Sequence, residues 1–272
     1  MVEMAADTAK VSLRTLWFPR LVLAVAAVSL VGAQLLHEAG HLVLALLFGR
    51  NPIWGPSSLV QLAGRTPIDP SQWSRYVGSD GSVAWLRMDS LPASDAEWVV
   101  MIAAGPAIQL VAIGIGLWLA RAAQSPVART IGLLLALANG FGMTFYYALS
   151  YARGIGGDEA LIAGKLGLSP MLTALPFGLL AAFGLAVAFR RLLPGERLRA
   201  LMALVIGIVP AGPLIMLANG FVRDQVDAGQ PLFVAALGFS LPVLLAGVAV
   251  TLVGTWALGG IARAGVAGAG AA

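Results

Sequence analysis

The sequence predicts an all-α polytopic membrane protein, with about six transmembrane helices and a small interfacial loop or β-hairpin between the first two. Hydrophobic residues make up 59% of the chain and charged residues 11%, against roughly 45–50% and about 25% in soluble domains. Mean hydropathy is +0.87. A water-soluble fold of 272 residues has too little interior to hide that much apolar surface. The apolar residues also gather into stretches of the roughly 20 residues that a spanning helix needs. A soluble enzyme, a disulfide scaffold and a disordered chain are excluded on the same grounds.

Six stretches qualify, over residues 17–48, 96–120, 127–150, 170–192, 198–221 and 232–258. The first is over-long, and is read as tilted or as a helix plus a turn. The second opens on Ser94-Asp95-Ala96-Glu97, a capping box in which Ser94 caps the helix and Glu97 reaches back to its amide. The fourth and fifth are joined by Leu193-Pro194-Gly195-Glu196, short enough to force an antiparallel hairpin. The long connection from Arg50 to Ser94 holds five prolines and no spanning run. Within it, Arg75-Tyr76-Val77 and Ser82-Val83-Ala84-Trp85 flank the turn signal Asp80-Gly81, which reads as a hairpin at headgroup level.

This divides the chain into a cytoplasmic N-terminal segment (1–16), a membrane core of three spans with the 50–95 interfacial loop (17–169), three further transmembrane helices (170–258) and a flexible C-terminal tail (259–272). The net charge of +4 comes from cations spread over many loops, which suits membrane flanks and not nucleic acid. Their bias favours both termini in the cytoplasm, and the five later spans make an uncleaved first helix the simpler reading. Leu137-Ala138-Asn139-Gly140-Phe141 recurs as Leu217-Ala218-Asn219-Gly220-Phe221, but no fixed period accompanies it. The absence of cysteine excludes thiolate metal sites and a cysteine nucleophile.

The chain has two histidines, and they stand four apart in His37-Glu38-Ala39-Gly40-His41. On a helix, positions i and i+4 share one face, so two imidazoles can bind one zinc ion. Glu38 stands beside the first of them, where it can serve as a general base; this is the H-E-x-x-H pattern. Burying a Glu and two His in a lipid span is expensive unless they have partners or a function.

A catalytic zinc takes three protein ligands. With no further His and no Cys, the third must be Asp or Glu. Asp158 is the first candidate and Glu159 the second, in Gly154-Ile155-Gly156-Gly157-Asp158-Glu159 directly after the third span. That span end returns to the membrane side of His41. A bland alternative is a solvated acid pair that caps a helix over 159–166. Asp224 and Asp227 lie on the same side and rank lower.

The constellation resembles the site-2 protease family of intramembrane zinc metalloproteases over about residues 30–165. His37-Glu38-Ala39-Gly40-His41 has the family's His-Glu-x-Gly-His form. Gly105-Pro106-Ala107-Ile108-Gln109 looks like its Gly-Pro-x-x-Asn segment, with Gln109 in place of the usual Asn. Asp158 matches the aspartate that completes the family's zinc site, and Glu159 stands where glycine is usual. The resemblance implies a bound Zn2+ on His37, His41 and Asp158, with Glu38 as catalytic base. It also implies membrane-spanning protein substrates within the lipid bilayer, and a bacterial plasma membrane as the setting. A side-chain amide from Gln109 or Asn139 is expected either to stabilise the oxyanion or to form an interhelical hydrogen bond. The rival expectations are a non-catalytic zinc-binding membrane scaffold and a membrane transporter.

Overall fold

The computed structural model describes residues 11–13, 16–55, 62–63, 66, 70–77, 83–154, 157–233 and 240–269. The first described helix is α1 (Phe18–Leu30), which passes through a π-helical turn (Val31–Leu36) and continues as α2 (His37–Leu47). The over-long first stretch is therefore one helical path with a π segment in its middle. Such segments re-phase a helix, and they occur often at functional sites.

The long connection between α2 and the next helix carries a three-stranded antiparallel sheet of β1 (Leu62–Ala63), β2 (Trp73–Val77) and β3 (Val83–Arg87), in the order β1-β3-β2. The expected hairpin is β2–β3, in a register that pairs Trp73 with Arg87 and Val77 with Val83. Its turn at Asp80-Gly81 lies outside the described residues.

The remaining helices are α3 (Asp95–Ala122), α4 (Pro126–Arg153), α5 (Asp158–Leu166), α6 (Pro170–Arg191), α7 (Arg197–Ile208), α8 (Ala211–Asp227) and α9 (Leu241–Ala269). Among the described residues, five helical segments are long and apolar enough to cross a membrane: α3, α4, α6, the α7–α8 pair and α9. The chain is an all-α, multi-pass membrane protein. Leu179, Phe183, Leu198, Leu217 and Leu245 are each more than half exposed. Water would penalise that surface and lipid does not.

Three boundaries differ from the sequence expectation. The fifth span is two helices, because the turn at Val209-Pro210 interrupts it. The sixth starts at Leu241 and not at 232; Pro231–Phe233 form a turn. The helix of the sixth stretch, expected to end at 258, runs on to Ala269.

The main core gathers Leu21, Ala24, Leu133, Leu137, Ala188 and Leu204 from α1, α4, α6 and α7. The first three spans and the later ones thus share one interior. The end of the N-terminal segment belongs to it too, with Leu13 and Leu16 fully buried. Buried Glu196 accepts from Ser12 Oγ at 2.8 Å and from the Leu13 amide at 2.5 Å. Arg199 donates to the carbonyls of Leu13 and Leu16. The α6–α7 turn therefore holds residues that the sequence placed in a separate cytoplasmic segment.

Candidate metal centre

The site is assembled where α2 meets α3. Gly40 lets the two helices close up, since a Cβ there would lie 2.6 Å from the Ala104 carbonyl oxygen. Just beyond α2, Arg50 grips Glu97 in the first turn of α3 with two bonds, Nε to Oε1 at 2.6 Å and Nη2 to Oε2 at 2.9 Å. Ser94 caps α3 as expected, accepting from the Glu97 amide at 3.2 Å. The other half of the predicted capping box is different. The Glu97 carboxylate serves Arg50 and the Ala93 amide, because a guanidinium is the stronger partner.

His37 and His41 lie one turn apart on α2, with ring centroids 4.8 Å apart and planes at 83°. Asp158, the first residue of α5, reaches both: its Oδ2 is 2.9 Å from His37 Nε2 and 3.2 Å from His41 Nε2. The chain reaches this position through Gly154 and Gly157, whose φ values of 91° and 73° are open to glycine and strained for other residues. At Gly157 a Cβ would also meet Tyr146 Oη.

Each imidazole is held from behind. His41 Nδ1 donates to the Met101 carbonyl oxygen at 2.8 Å, and His37 Nδ1 donates to Gln109 Oε1 at 2.8 Å. Pro106 lies in the same stretch of α3 and offers no N–H to the Ile102 carbonyl. A neutral imidazole protonated at Nδ1 bears its lone pair at Nε2. Three electron-rich atoms therefore converge: two Nε2 and one carboxylate oxygen. Without a cation, each Nε2–Oδ2 contact needs a proton of its own, and protons on both Nε2 atoms would make two positive rings 4.8 Å apart. A divalent ion relieves that conflict, and acceptors behind ligating histidines are the usual support of a metal site. Among the described residues, His37, His41 and Asp158 form the one such cluster that could hold a metal ion, with ligand atoms all within 4.8 Å of one another.

Gly105 completes the cradle. A Cβ there would press on His41 Nε2 and lie 2.8 Å from His37 Nε2. It lies ten residues into α3, about 15 Å along the axis at 1.5 Å per residue, where His41 is buried and His37 and Asp158 are partly buried. Glu38 is 4% exposed, and its Oε2 is buried with no hydrogen-bond partner among the described residues. It interacts electrostatically with His37, His41 and Asp158.

Of the residues singled out in the sequence, His37, Glu38, His41, Gln109 and Asp158 meet here. Glu159 turns away: Tyr147 donates to its Oε1 at 2.5 Å. The solvated acid pair is therefore not what forms, although α5 is the helix that reading expected. The Gln109 oxygen is spent on His37, which gives that residue a supporting task instead of the expected oxyanion contact. Asn139 is elsewhere. Its Nδ2 donates to Leu135 O at 2.9 Å, and its side chain fills the space beside Gly32 in the π-helical turn. Asp224 is on α8 and outside the cluster. Met101 escaped the sequence reading because a backbone carbonyl has no signature in residue type. Tyr147 had a usable signal, as a polar aromatic in an apolar span one helix before the predicted ligand.

An apolar cleft of about 390 Å³ opens between α8, α9 and the turn before His37. None of the cluster's residues lines it, so it is not the ion's cavity. Comparison with protein-family models, curated proteins and solved structures returns no match to this chain. The chemistry of the centre is thus read from its own residues.

Proposed function

We propose that the protein is an intramembrane zinc metalloprotease of the site-2 protease type, hydrolysing peptide bonds of membrane-spanning protein substrates. The observation that carries this reading is the convergence of His37 Nε2, His41 Nε2 and Asp158 Oδ2 beside a buried carboxylate, Glu38. Two imidazoles and one carboxylate suit zinc, and three protein ligands leave its fourth position open, as hydrolysis requires. Zinc would supply a Lewis acid that polarises the scissile carbonyl and acidifies water.

The chain's own residues do the rest. Met101 and Gln109 hold the imidazoles in the tautomer that presents Nε2. Glu38 takes the proton of the attacking water and returns it to the leaving amine. A structural metal site has no use for such a base, and an isolated buried carboxylate is costly to keep. The surrounding helices limit access of water. A substrate helix must unwind to present its carbonyl, because its own hydrogen bonds shield it.

The test is the zinc content of detergent-purified wild type, His41→Ala and Asp158→Ala, followed by cleavage of a transmembrane peptide by wild type and Glu38→Gln. We expect about one zinc per chain, lost in both ligand variants, and cleavage by wild type alone. Wild type that takes up no zinc, even when zinc is added back, ends the metalloprotease reading. Cleavage by Glu38→Gln at the wild-type rate ends the role of Glu38.

A further inference from the structure

Glu159 is the charged residue hardest to explain by the proposed chemistry. It is 1% exposed, adjacent to a ligand and not in the ligand cluster. A buried carboxylate costs several kcal/mol unless it is used, and an apolar side chain would fill the space more cheaply. What it does is hold two neighbouring spans. Its Oε1 accepts from Tyr147 of α4 at 2.5 Å, and its backbone carbonyl accepts from Thr173 of α6 at 2.8 Å, a hydroxyl also within reach of the Pro170 carbonyl.

The helix so held needs an anchor. α5 has nine residues, fewer than an isolated helix needs to be stable. The glycines before it leave the backbone unusually free to turn. Its far end is tied by Lys165 to Asp95 at 2.7 Å, where both side chains are well exposed, and such pairs contribute little. The other grip on α5 is the burial of Ile162 and Ala163. That burial lies in the second turn of the helix, whereas Tyr147 and Thr173 hold the first.

We propose that Glu159 is a positioning residue: with its carboxylate held by Tyr147 and its carbonyl by Thr173, it sets the first turn of α5 so that Asp158 points at both imidazoles. This rests on the metal-site reading above. It adds that a metal ligand on a short helix is aimed by the next residue, which is clamped between two spans. Supporting partners of this kind typically change metal affinity 10–100-fold when removed.

The experiment compares wild type with Tyr147→Phe, Thr173→Val, Glu159→Leu and the conservative Glu159→Gln, whose amide oxygen still accepts from Tyr147. Zinc affinity is read by chelator competition and ligand geometry by the visible spectrum of the Co2+-loaded protein. Amide hydrogen exchange over 157–161 is read on metal-free protein. Helicity and monodisperse elution confirm folding. We expect Tyr147→Phe and Glu159→Leu to bind zinc about 10–100-fold more weakly, with an altered Co2+ spectrum and faster exchange over 157–161. Glu159→Gln should stay within a few-fold of wild type. Wild-type zinc affinity in both Tyr147→Phe and Glu159→Leu overturns the proposal. So does a Glu159→Gln loss as large as that of Glu159→Leu, which would make the carboxylate itself a ligand. If wild type binds no zinc, the metal reading fails by itself, and exchange decides the clamp: unchanged rates over 157–161 in Tyr147→Phe overturn it, and faster rates uphold it.

Discussion

His41 Nδ1 donates to the backbone carbonyl oxygen of Met101 across 2.8 Å, and that bond decides what the other ring nitrogen can do. A carbonyl only accepts, so the proton stays on Nδ1 and the lone pair is left at Nε2, facing Asp158. α3 thus selects the tautomer of a residue on α2. The same logic joins His37 to Gln109, with a side chain that can be changed. Gln109→Leu removes the acceptor and leaves the ring free to turn. Zinc affinity should fall about 10–100-fold with helicity intact, as measured by chelator competition beside circular dichroism.

Gly105 provides a steric test of the same cavity. In Gly105→Ala, the added methyl presses on the nitrogens that would hold the ion. Zinc binding should be lost in a protein that still folds. Gly114→Ala on the same helix is the control, since nothing lies within 4 Å of a Cβ there. It should keep zinc and gain about 0.4–1 kcal/mol from reduced unfolded-state entropy. Equal zinc content in the two variants would remove the cation from this space.

Glu38 sets catalysis against stability. Its Oε2 is buried without a partner among the described residues, and an unsatisfied buried group costs roughly 1–3 kcal/mol, more when charged. Glu38→Gln should therefore raise the thermal midpoint of the metal-free protein. It should also retain zinc and lose hydrolysis by about 10²–10⁴-fold, the usual contribution of a general base. A midpoint below that of wild type would show that the carboxylate is satisfied and structural.

Metal addition should appear as stability. A ligand that binds only the folded chain stabilises it by about 2.7 kcal/mol at a hundredfold excess over its Kd. Zinc should raise the thermal midpoint of wild type, and a chelator should reverse the rise. Asp158→Ala should show neither effect. An equal rise in that variant would place the responsible zinc on other residues.

Composition and the spacing of apolar runs determined that this chain is a multi-pass helical membrane protein. The periodicity of a helix determined that His37 and His41 share a face, because that relation needs only four residues of one element. Pairing signals around Asp80-Gly81 were enough for the β2–β3 hairpin. Tertiary structure decided the rest. It chose Asp158 over Glu159 as the residue that reaches both imidazoles, since adjacent side chains on a helix point about 100° apart and their directions depend on how α5 docks. It assigned the Gln109 carbonyl to His37 and moved Asn139 away to Gly32. It drew residues 11–13 onto the α6–α7 turn, through hydrogen bonds spanning more than 180 positions of sequence. Local pattern reports what one helix can do; which atoms meet across helices is settled by packing, and packing leaves no trace in the spacing of residues along the chain.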